Sequence, residues 1–367
     1  MNAERLHAVA ADLKADLEGS NEVAILQRLV SALQNLVNQP TQTQYQQEIS
    51  STLKELEVAS KASRFNDFSP SWRQTADELG ATDLLGAALV KKVSEVFQQN
   101  QITPSVALAE MQELLQRLTT FAAAIDQVLA SFRTLKVGRE ELAPGECELG
   151  VLIPRLFVEN LLDRFSQELD ELNRIFGVFE ELATGSRPSF AIRTISSSEL
   201  MVYLEVAAIV GACIATAIES IIELYKKLLE IRKLQGELVK QGVEKKSLKG
   251  LEEHANGIME SGIDAVVKEL INEFKSPDAG RKNELSIELK YSLKKIANRV
   301  DRGFNFEIRM QEPEPAGDGI EESPENLALT ASFERVKEAA PALQFLKLDG
   351  PPILSLSESR PDQRTEK

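Results

Sequence analysis

The chain is poor in the residues that enzymes most often use to bind metals and to activate nucleophiles. Its 367 residues include two histidines, two cysteines and one tryptophan. With only His7 and His254 present, a histidine-rich metal site is excluded. The sequence also lacks a phosphate-cradling GxxxxGK[ST] loop, a dinucleotide-binding glycine fingerprint and a GxSxG nucleophile elbow. We therefore expect no cofactor and no bound metal.

The two cysteines, Cys147 and Cys213, are too few for a disulfide framework, so a reducing cytoplasm is the default compartment. Residues 1–19 contain no apolar core of the kind that a secretory signal has, and we predict a cytoplasmic protein. Cys213 lies in an apolar run and is interpreted as a small buried hydrophobic residue. Cys147 has no identifiable activating base, which argues against a nucleophilic role.

Positive charge is also scarce. Lysine and arginine number 42 against 57 acidic residues, which gives a net charge of −15 and argues against nucleic acid as the main partner. Residues 225–250 and 281–302 are locally basic, which we interpret as solvated helix faces. We interpret His254 as a helix-surface residue, because the adjacent Glu252 and Glu253 do not stack on its helix face. The sequence nominates no catalytic residue.

The feature that the sequence has in quantity is helical periodicity. Apolar residues recur at alternating spacings of three and four over 104–135, 155–184 and 196–242, the pattern of long helices that pack lengthwise on partners. Shorter amphipathic patterns predict further helices within residues 2–99. The predicted fold class is mainly α: an elongated multi-helix bundle with long heptad-patterned, coiled-coil-like helices and a small β-sheet.

Three short stretches carry strand signals instead, near residues 149–153, 188–195 and 303–311. The last of them alternates apolar and polar residues from Phe304 to Gln311, which is the period of a half-buried strand. Isolated strands leave backbone groups unpaired. We therefore expect them to pair as one small sheet of about three short strands.

Residues 196–242 are predicted to form a single helix that is the spine of the bundle. Ser196 and Glu199 have the spacing of a capping box, and Gly242 stands where a terminal glycine would end the helix. Residues 206–218 carry no charge on any face, which is typical of a helix in a large core or in a membrane. The run is shorter than the roughly 20 residues that a membrane span needs, which favours a core. The predicted interaction seam comprises Ala207, Val210, Gly211, Ile214, Ala215, Ile221, Leu224, Leu228, Ile231 and Leu238.

The composition predicts three regions: an N-terminal helical region over 1–135, a central long-helix bundle with the small sheet over 136–311, and an acidic, proline-rich tail over 312–367. Residues 312–325 carry six acids and no base. Because low hydrophobicity and like charge do not offset the entropy lost on ordering, we predict a flexible tail. Two apolar islands, 327–348 and 351–356, leave open whether part of the tail docks on the bundle.

We predict a non-enzymatic cytoplasmic scaffold or interaction protein that self-associates through its long amphipathic helices, as a homo-oligomer or with a protein partner. The alternative is a membrane-acting protein, toxin-like or a defence effector, that inserts the apolar helix over 200–222. A third hypothesis is an enzyme with no recognisable motif. The missing catalytic signatures favour the first hypothesis, and the uncharged run over 206–218 keeps the second one open.

Overall fold

The structure is a computed structural model that describes residues 3–100, 102–196, 200–244, 248–274, 279–314, 323–343, 345–346, 348 and 350–359. It confirms the predicted mainly α fold with a small sheet. The described residues form twelve α-helices and four antiparallel strands. The chain divides into two compact units, Met1–Glu141 and Leu142–Lys367, which we call unit 1 and unit 2.

In its described residues, unit 1 consists of six α-helices whose apolar faces enclose one core. Leu13, Leu29 and Leu118 are fully buried in this core. The helices predicted within residues 2–99 and over 104–135 are present. The helices are α1 (Ala3–Ser20), α2 (Glu22–Asn38), α3 (Thr43–Lys61), α4 (Pro70–Glu78), α5 (Gly86–Gln99) and α6 (Pro104–Leu135).

Unit 2 combines the sheet with the remaining helices around a second core. Its strands are β1 (Cys147–Leu152), β2 (Ala191–Ser196), β3 (Met201–Val206) and β4 (Asn305–Met310). Its helices are α7 (Leu162–Thr184), α8 (Ala208–Lys226), α9 (Leu229–Lys240), α10 (Lys249–Glu273), α11 (Lys282–Asp301) and α12 (Pro324–Ala339).

The four strands form one antiparallel sheet in the order β2-β3-β1-β4. The register places Leu149 of β1 opposite Leu204 of β3 and Ile308 of β4. The face that carries these residues packs on the helices, and Cys147 on this face lies directly against Gly211 of α8, where a Cβ atom would collide with its sulfur. The predicted pairing of the strand signals is therefore confirmed, with β3 as an additional central strand.

The prediction of a single helix over 196–242 is wrong. Residues 201–206 form the strand β3, α8 starts only at Ala208, and the helix axis breaks again before Leu229. β3 is a central strand with Met201 to Leu204 all buried, so its sequence shows a continuous apolar run rather than alternation. Periodicity does not separate such a run from a buried helix. Ser196 ends β2, and Glu199 of the predicted capping box lies outside the described residues.

The predicted helix over 155–184 begins later than expected, at Leu162. Residues 155–160 form turns, in which Glu159 and Asn160 have φ angles of 50° and 55°. Left-handed backbone at two successive residues is incompatible with a right-handed helix. The heptad spacing over 155–161 was therefore a false continuation of the pattern in α7.

The uncharged part of helix α8 is explained by the elements of unit 2 that pack around it. Helices α7, α10, α11 and α12 contact it along its length, and strands β1 and β4 contact it from the sheet. Val210, Ile214 and Ile218 are fully buried as a result. The uncharged run over 206–218 is thus explained by a core, the reading that the sequence favoured.

Part of the predicted flexible tail is folded. Helix α12 packs against α8, and Arg335 on α12 donates a hydrogen bond to the buried Thr216 hydroxyl and pairs with Glu219. The apolar island over 351–356 is also docked in unit 2. The apolar residues of both islands therefore outweigh the acidic composition of residues 312–325, which precede them.

Unit 1 contains one carboxyl group that is completely enclosed. The Glu22 side chain accepts hydrogen bonds at Oε1 from the Ser60 hydroxyl at 2.7 Å and from the Gly86 amide at 3.1 Å. The pKa of Glu22 is raised to about 7, chiefly because burial penalises the charged form; the hydrogen bonds from Ser60 and Gly86 lower the pKa, and the negative Asp16 raises it, by less than burial does. Glu22 therefore titrates near neutral pH.

We expect the stability of unit 1 to fall as pH rises from about 4.5 to about 7. The folded protein keeps the proton of Glu22 up to a pKa of about 7, whereas the unfolded chain loses it near 4.5. The folded state binds more protons between these values, so a contribution on the order of 3 kcal/mol is lost across this window. Urea unfolding at several pH values, followed by the fluorescence of Trp72, the single tryptophan, measures the effect.

The side chain in the variant Glu22→Gln is neutral at every pH, so the variant lacks this slope of unfolding free energy against pH. Above pH 7 it therefore unfolds at a higher urea concentration than the wild type. Glu48→Gln, at an exposed position of α3, is the matched control and keeps the slope. An identical pH dependence in Glu22→Gln and the wild type would contradict the assignment.

Candidate functional site

Residues 350–358, with the sequence GPPILSLSE, lie in a groove of unit 2 without forming a helix or strand. We call them the docked segment. Pro351 and Pro352 restrict the backbone to an extended entry. The side chains of Ile353, Leu354 and Leu356 are then buried, with 2%, 5% and 5% exposed. Extended backbone without a neighbouring strand needs other hydrogen-bond partners.

Asp301, the last residue of α11, supplies two of these bonds. Its Oδ2 atom accepts the N–H groups of Ile353 at 2.9 Å and of Leu354 at 2.8 Å. The side chain of Asp301 is fully buried, so these bonds are made in a low-dielectric environment, where hydrogen bonds to a charged group are strong.

Two asparagines hold the next two residues. Asn256 of α10 accepts the N–H of Ser355 at 3.0 Å and donates to the hydroxyl of the same residue at 3.0 Å. Asn298 of α11 accepts the N–H of Leu356 at 3.1 Å and donates to its carbonyl at 2.9 Å. The amide of Asn298 thus pairs with both backbone groups of Leu356, as a neighbouring strand would. Four successive N–H groups of the docked segment are bonded to side chains.

The other oxygen of Asp301 is held from the core side. Oδ1 accepts the Tyr225 hydroxyl at 2.6 Å and Nη1 of Arg232 at 2.7 Å. Burial and the Asp301 carboxylate raise the pKa of Tyr225, which keeps the phenol protonated as a donor. Arg232 also donates through Nη2 to the carbonyl of Gly350 at 2.7 Å. One enclosed ion pair therefore joins α8, α9 and α11 to the docked segment.

At its start, the docked segment touches the backbone of α9. Gly350 has a φ angle of 84°, and a Cβ atom on it would lie 3.4 Å from the Cα of Gly236. A Cβ atom on Gly236 would meet the Cα of Gly350 at the same distance. Two glycines facing each other permit this close approach of two backbones.

At its far end, the docked segment carries an acid beside cationic side chains. Glu358 accepts a hydrogen bond from Asn298 Nδ2 at 2.7 Å and lies 3.9 Å from Arg299 Nη1. Arg299 is held in place by a bidentate pair with Glu168, at 2.6 Å and 3.0 Å. Glu358 also borders an open depression of about 280 Å³, whose lining includes Arg174, Arg187 and Lys295.

The groove residues were not identified from the sequence. Asn256, Asn298 and Asp301 each interrupt the inward stripe of an amphipathic helix with a polar side chain. A buried polar residue has to find a partner, so this interruption was the available signal. The partner segment was visible in the sequence as the apolar island over 351–356, but the sequence did not link the two.

The predicted interaction seam lies inside unit 2. Val210, Gly211, Ile214, Ala215, Ile221 and Leu228 are buried, Leu224, Ile231 and Leu238 are half-buried, and Ala207 is exposed. The buried members, together with Leu224 and Ile231, pack in the core of unit 2.

The remaining residues considered from the sequence lie away from the groove or are enclosed. His254 is exposed on α10. Cys147 is buried, and burial raises the pKa of its thiol to about 12, so the thiol stays protonated. Within the part of the chain that the structure describes, no group of three or more His, Cys, Asp or Glu side chains could hold a metal ion.

Helix α8 is the one helix among the described residues that is long and apolar enough to cross a membrane. Of its most apolar window, 72% is buried inside the protein. Core helices of this kind and membrane spans share the same composition.

No protein-family model, no curated protein sequence and no solved structure matches the chain. The groove is therefore interpreted from its own chemistry. Backbone hydrogen bonds from side chains supply affinity for an extended segment, and the three buried aliphatic positions supply selectivity.

We expect the backbone amides of 353–356 to be protected from hydrogen exchange, although they belong to no helix or strand. In Asn298→Asp the acceptor for the Leu356 N–H remains, but the donor to the Leu356 carbonyl and to Glu358 is lost. Loss of such bonds costs about 1 kcal/mol or more, so these amides exchange roughly 10-fold faster in the variant. Exchange followed by mass spectrometry of fragments measures this.

Asn283→Asp, at an exposed position on the same helix, is the matched control and leaves the protection unchanged. Rapid exchange of 353–356 in the wild type would show that the side chains do not hold the docked segment.

Proposed function

We propose that the chain is an interaction protein rather than an enzyme, and that unit 2 binds an extended peptide segment in the groove. The observation that carries this proposal is the bonding of four successive backbone N–H groups of the docked segment to Asp301, Asn256 and Asn298. The proposal keeps the class predicted from the sequence. It moves the contact surface from the helix seam to the groove.

The relation between the groove and the docked segment resembles that between a receptor and a ligand. The bonded residues are between 52 and 118 positions apart in the sequence. The groove wall is held by contacts of its own, such as the pairing of Tyr225 and Arg232 with Asp301. A segment of the same chemistry on another molecule could therefore make the same contacts.

The energetics support binding of moderate strength. Burial of each aliphatic side chain contributes roughly 1.5–3 kcal/mol, and each hydrogen bond contributes about 1 kcal/mol net. The entropy lost on ordering a free peptide offsets part of this sum. Micromolar affinity corresponds to about 8 kcal/mol, which lies within the remaining range.

We expect a synthetic peptide with residues 350–359 to bind the full chain once its own segment has been evicted. In the double variant Ile353→Asp, Leu354→Asp, two carboxylates cannot be buried beside Asp301, so the segment leaves the groove. The peptide then binds with a dissociation constant on the order of 10 μM, measured by fluorescence anisotropy. The wild-type chain binds it roughly 100-fold more weakly, because its tethered segment competes at millimolar effective concentration.

A peptide that carries the same two aspartates is the control and does not bind. Circular dichroism and Trp72 fluorescence establish that the double variant is folded. The single variant Leu356→Asp is a second, less disruptive way to remove the docked segment from the groove. If a folded eviction variant binds the wild-type peptide no better than the control peptide, the proposal is wrong.

Self-association and a cytoplasmic location stay predictions, and sedimentation of the full chain at micromolar concentration tests the first. The length and apolar composition of α8 are the observations that support the membrane-acting alternative. It requires α8 to leave its contacts with the surrounding helices. Flotation of the full chain with lipid vesicles tests it, and absence from the vesicle fraction at neutral and acidic pH would remove it.

A further inference from the structure

Resting on the proposed function, we infer that the partner of the groove is a segment of another protein with a defined pattern. The pattern is glycine and prolines at the start, then two aliphatic residues, any residue other than proline, a third aliphatic residue, and an acid two positions later. The docked segment shows this pattern from Gly350 to Glu358. Each of its elements follows from a contact in the groove.

The groove selects a segment by the positions of its prolines. Positions 353 to 356 each donate a backbone N–H to a groove side chain. Proline has no N–H, so a proline at any of these four positions leaves a buried or half-buried acceptor without its bond. Pro351 and Pro352 stand directly before the first donor. The boundary between prolines and donors therefore sets the register of the bound segment.

The docked segment also has an apolar spacing that differs from that of an edge strand with one face in solvent. Ile353 and Leu354 are adjacent and both buried, whereas Ser355 is exposed and Leu356 is buried again. A regular strand would place adjacent side chains on opposite faces. The partner is therefore an irregular extended segment with adjacent aliphatic residues, which distinguishes it from an edge strand.

The third element is negative charge at the far end. Glu358 accepts from Asn298 Nδ2 and faces Arg299, and the depression beside it is lined by Arg174, Arg187 and Lys295 together with the acidic Glu288. A lysine at this position would lose the hydrogen bond from Asn298 and would face the Arg299 guanidinium instead. The 3.9 Å separation between Glu358 and Arg299 is longer than a hydrogen bond, so the docked segment leaves room for a closer acidic contact.

The gap between Glu358 and Arg299 helps to decide which molecule supplies the partner segment. The docked segment is tethered to its own groove by residues 340–349, which follow helix α12, and α12 itself packs against α8. A tether of about ten residues gives millimolar effective concentration, so an identical segment on a second copy at micromolar concentration does not displace it. A partner displaces it by binding more tightly, and the acidic end is where a further contact can be added.

The test uses the full-length eviction variant and a series of peptides based on residues 350–359. The peptide with Ser355→Pro lacks the backbone N–H that Asn256 accepts, and it binds at least 10-fold more weakly than the wild-type peptide. The peptide with Ser355→Ala loses only the hydroxyl contact and stays within about 3-fold. The peptide with Glu358→Lys binds about 5-fold more weakly at low salt, and the difference shrinks at 0.5 M salt because charge is screened.

The outcomes separate this inference from the function on which it rests. If the wild-type peptide binds but the Ser355→Pro and Glu358→Lys peptides bind equally well, the groove has no such pattern and the inference is overturned, while the groove function stands. If no peptide binds the folded eviction variant, the proposed function fails. Wild-type chains that carry two different fluorophores test whether a second copy occupies the groove. If they form a mixed dimer at micromolar concentration and Leu356→Asp abolishes it, the occupant is a second copy, and the inference that the partner is another protein is overturned.

Discussion

A single buried carboxylate, that of Asp301, connects the core of unit 2 with its surface. A charge in a low-dielectric interior is tolerated only when it is paired and its lone pairs accept hydrogen bonds. Oδ1 meets this requirement through Tyr225 and Arg232, which come from α8 and α9. Oδ2 meets it through two backbone N–H groups of the docked segment. The docked segment therefore completes the solvation of a core charge.

This arrangement couples occupancy of the groove to the stability of unit 2. An empty groove leaves Oδ2 of Asp301 without two charge-assisted bonds and exposes three aliphatic contacts. Any molecule that restores these bonds stabilises the folded state by mass action. The same coupling explains why the groove is filled from within the chain: a tethered segment satisfies Asp301 at every protein concentration.

The central position of α8 is the second constraint on unit 2. Four helices and the sheet pack on this helix, so residues 210–218 are all buried and Gly211 is required where Cys147 approaches. Most residues of the heptad seam predicted from the sequence are buried. The part of the seam on α8 packs against α7, α10, α11 and α12 of the same chain.

The sequence by itself determined the class of the fold, the helical character of unit 1, the C-terminal end of α7 and the positions of three strands, because periodicity and proline or glycine stops are local properties. It did not separate β3 from α8, because a central strand and a buried helix have the same uncharged composition. Only the tertiary structure decided that Asp301, Asn298 and Asn256 meet residues 353–356. Hydrogen-bond partners separated by 52 residues or more are chosen by how helices pack, and no local pattern records that choice.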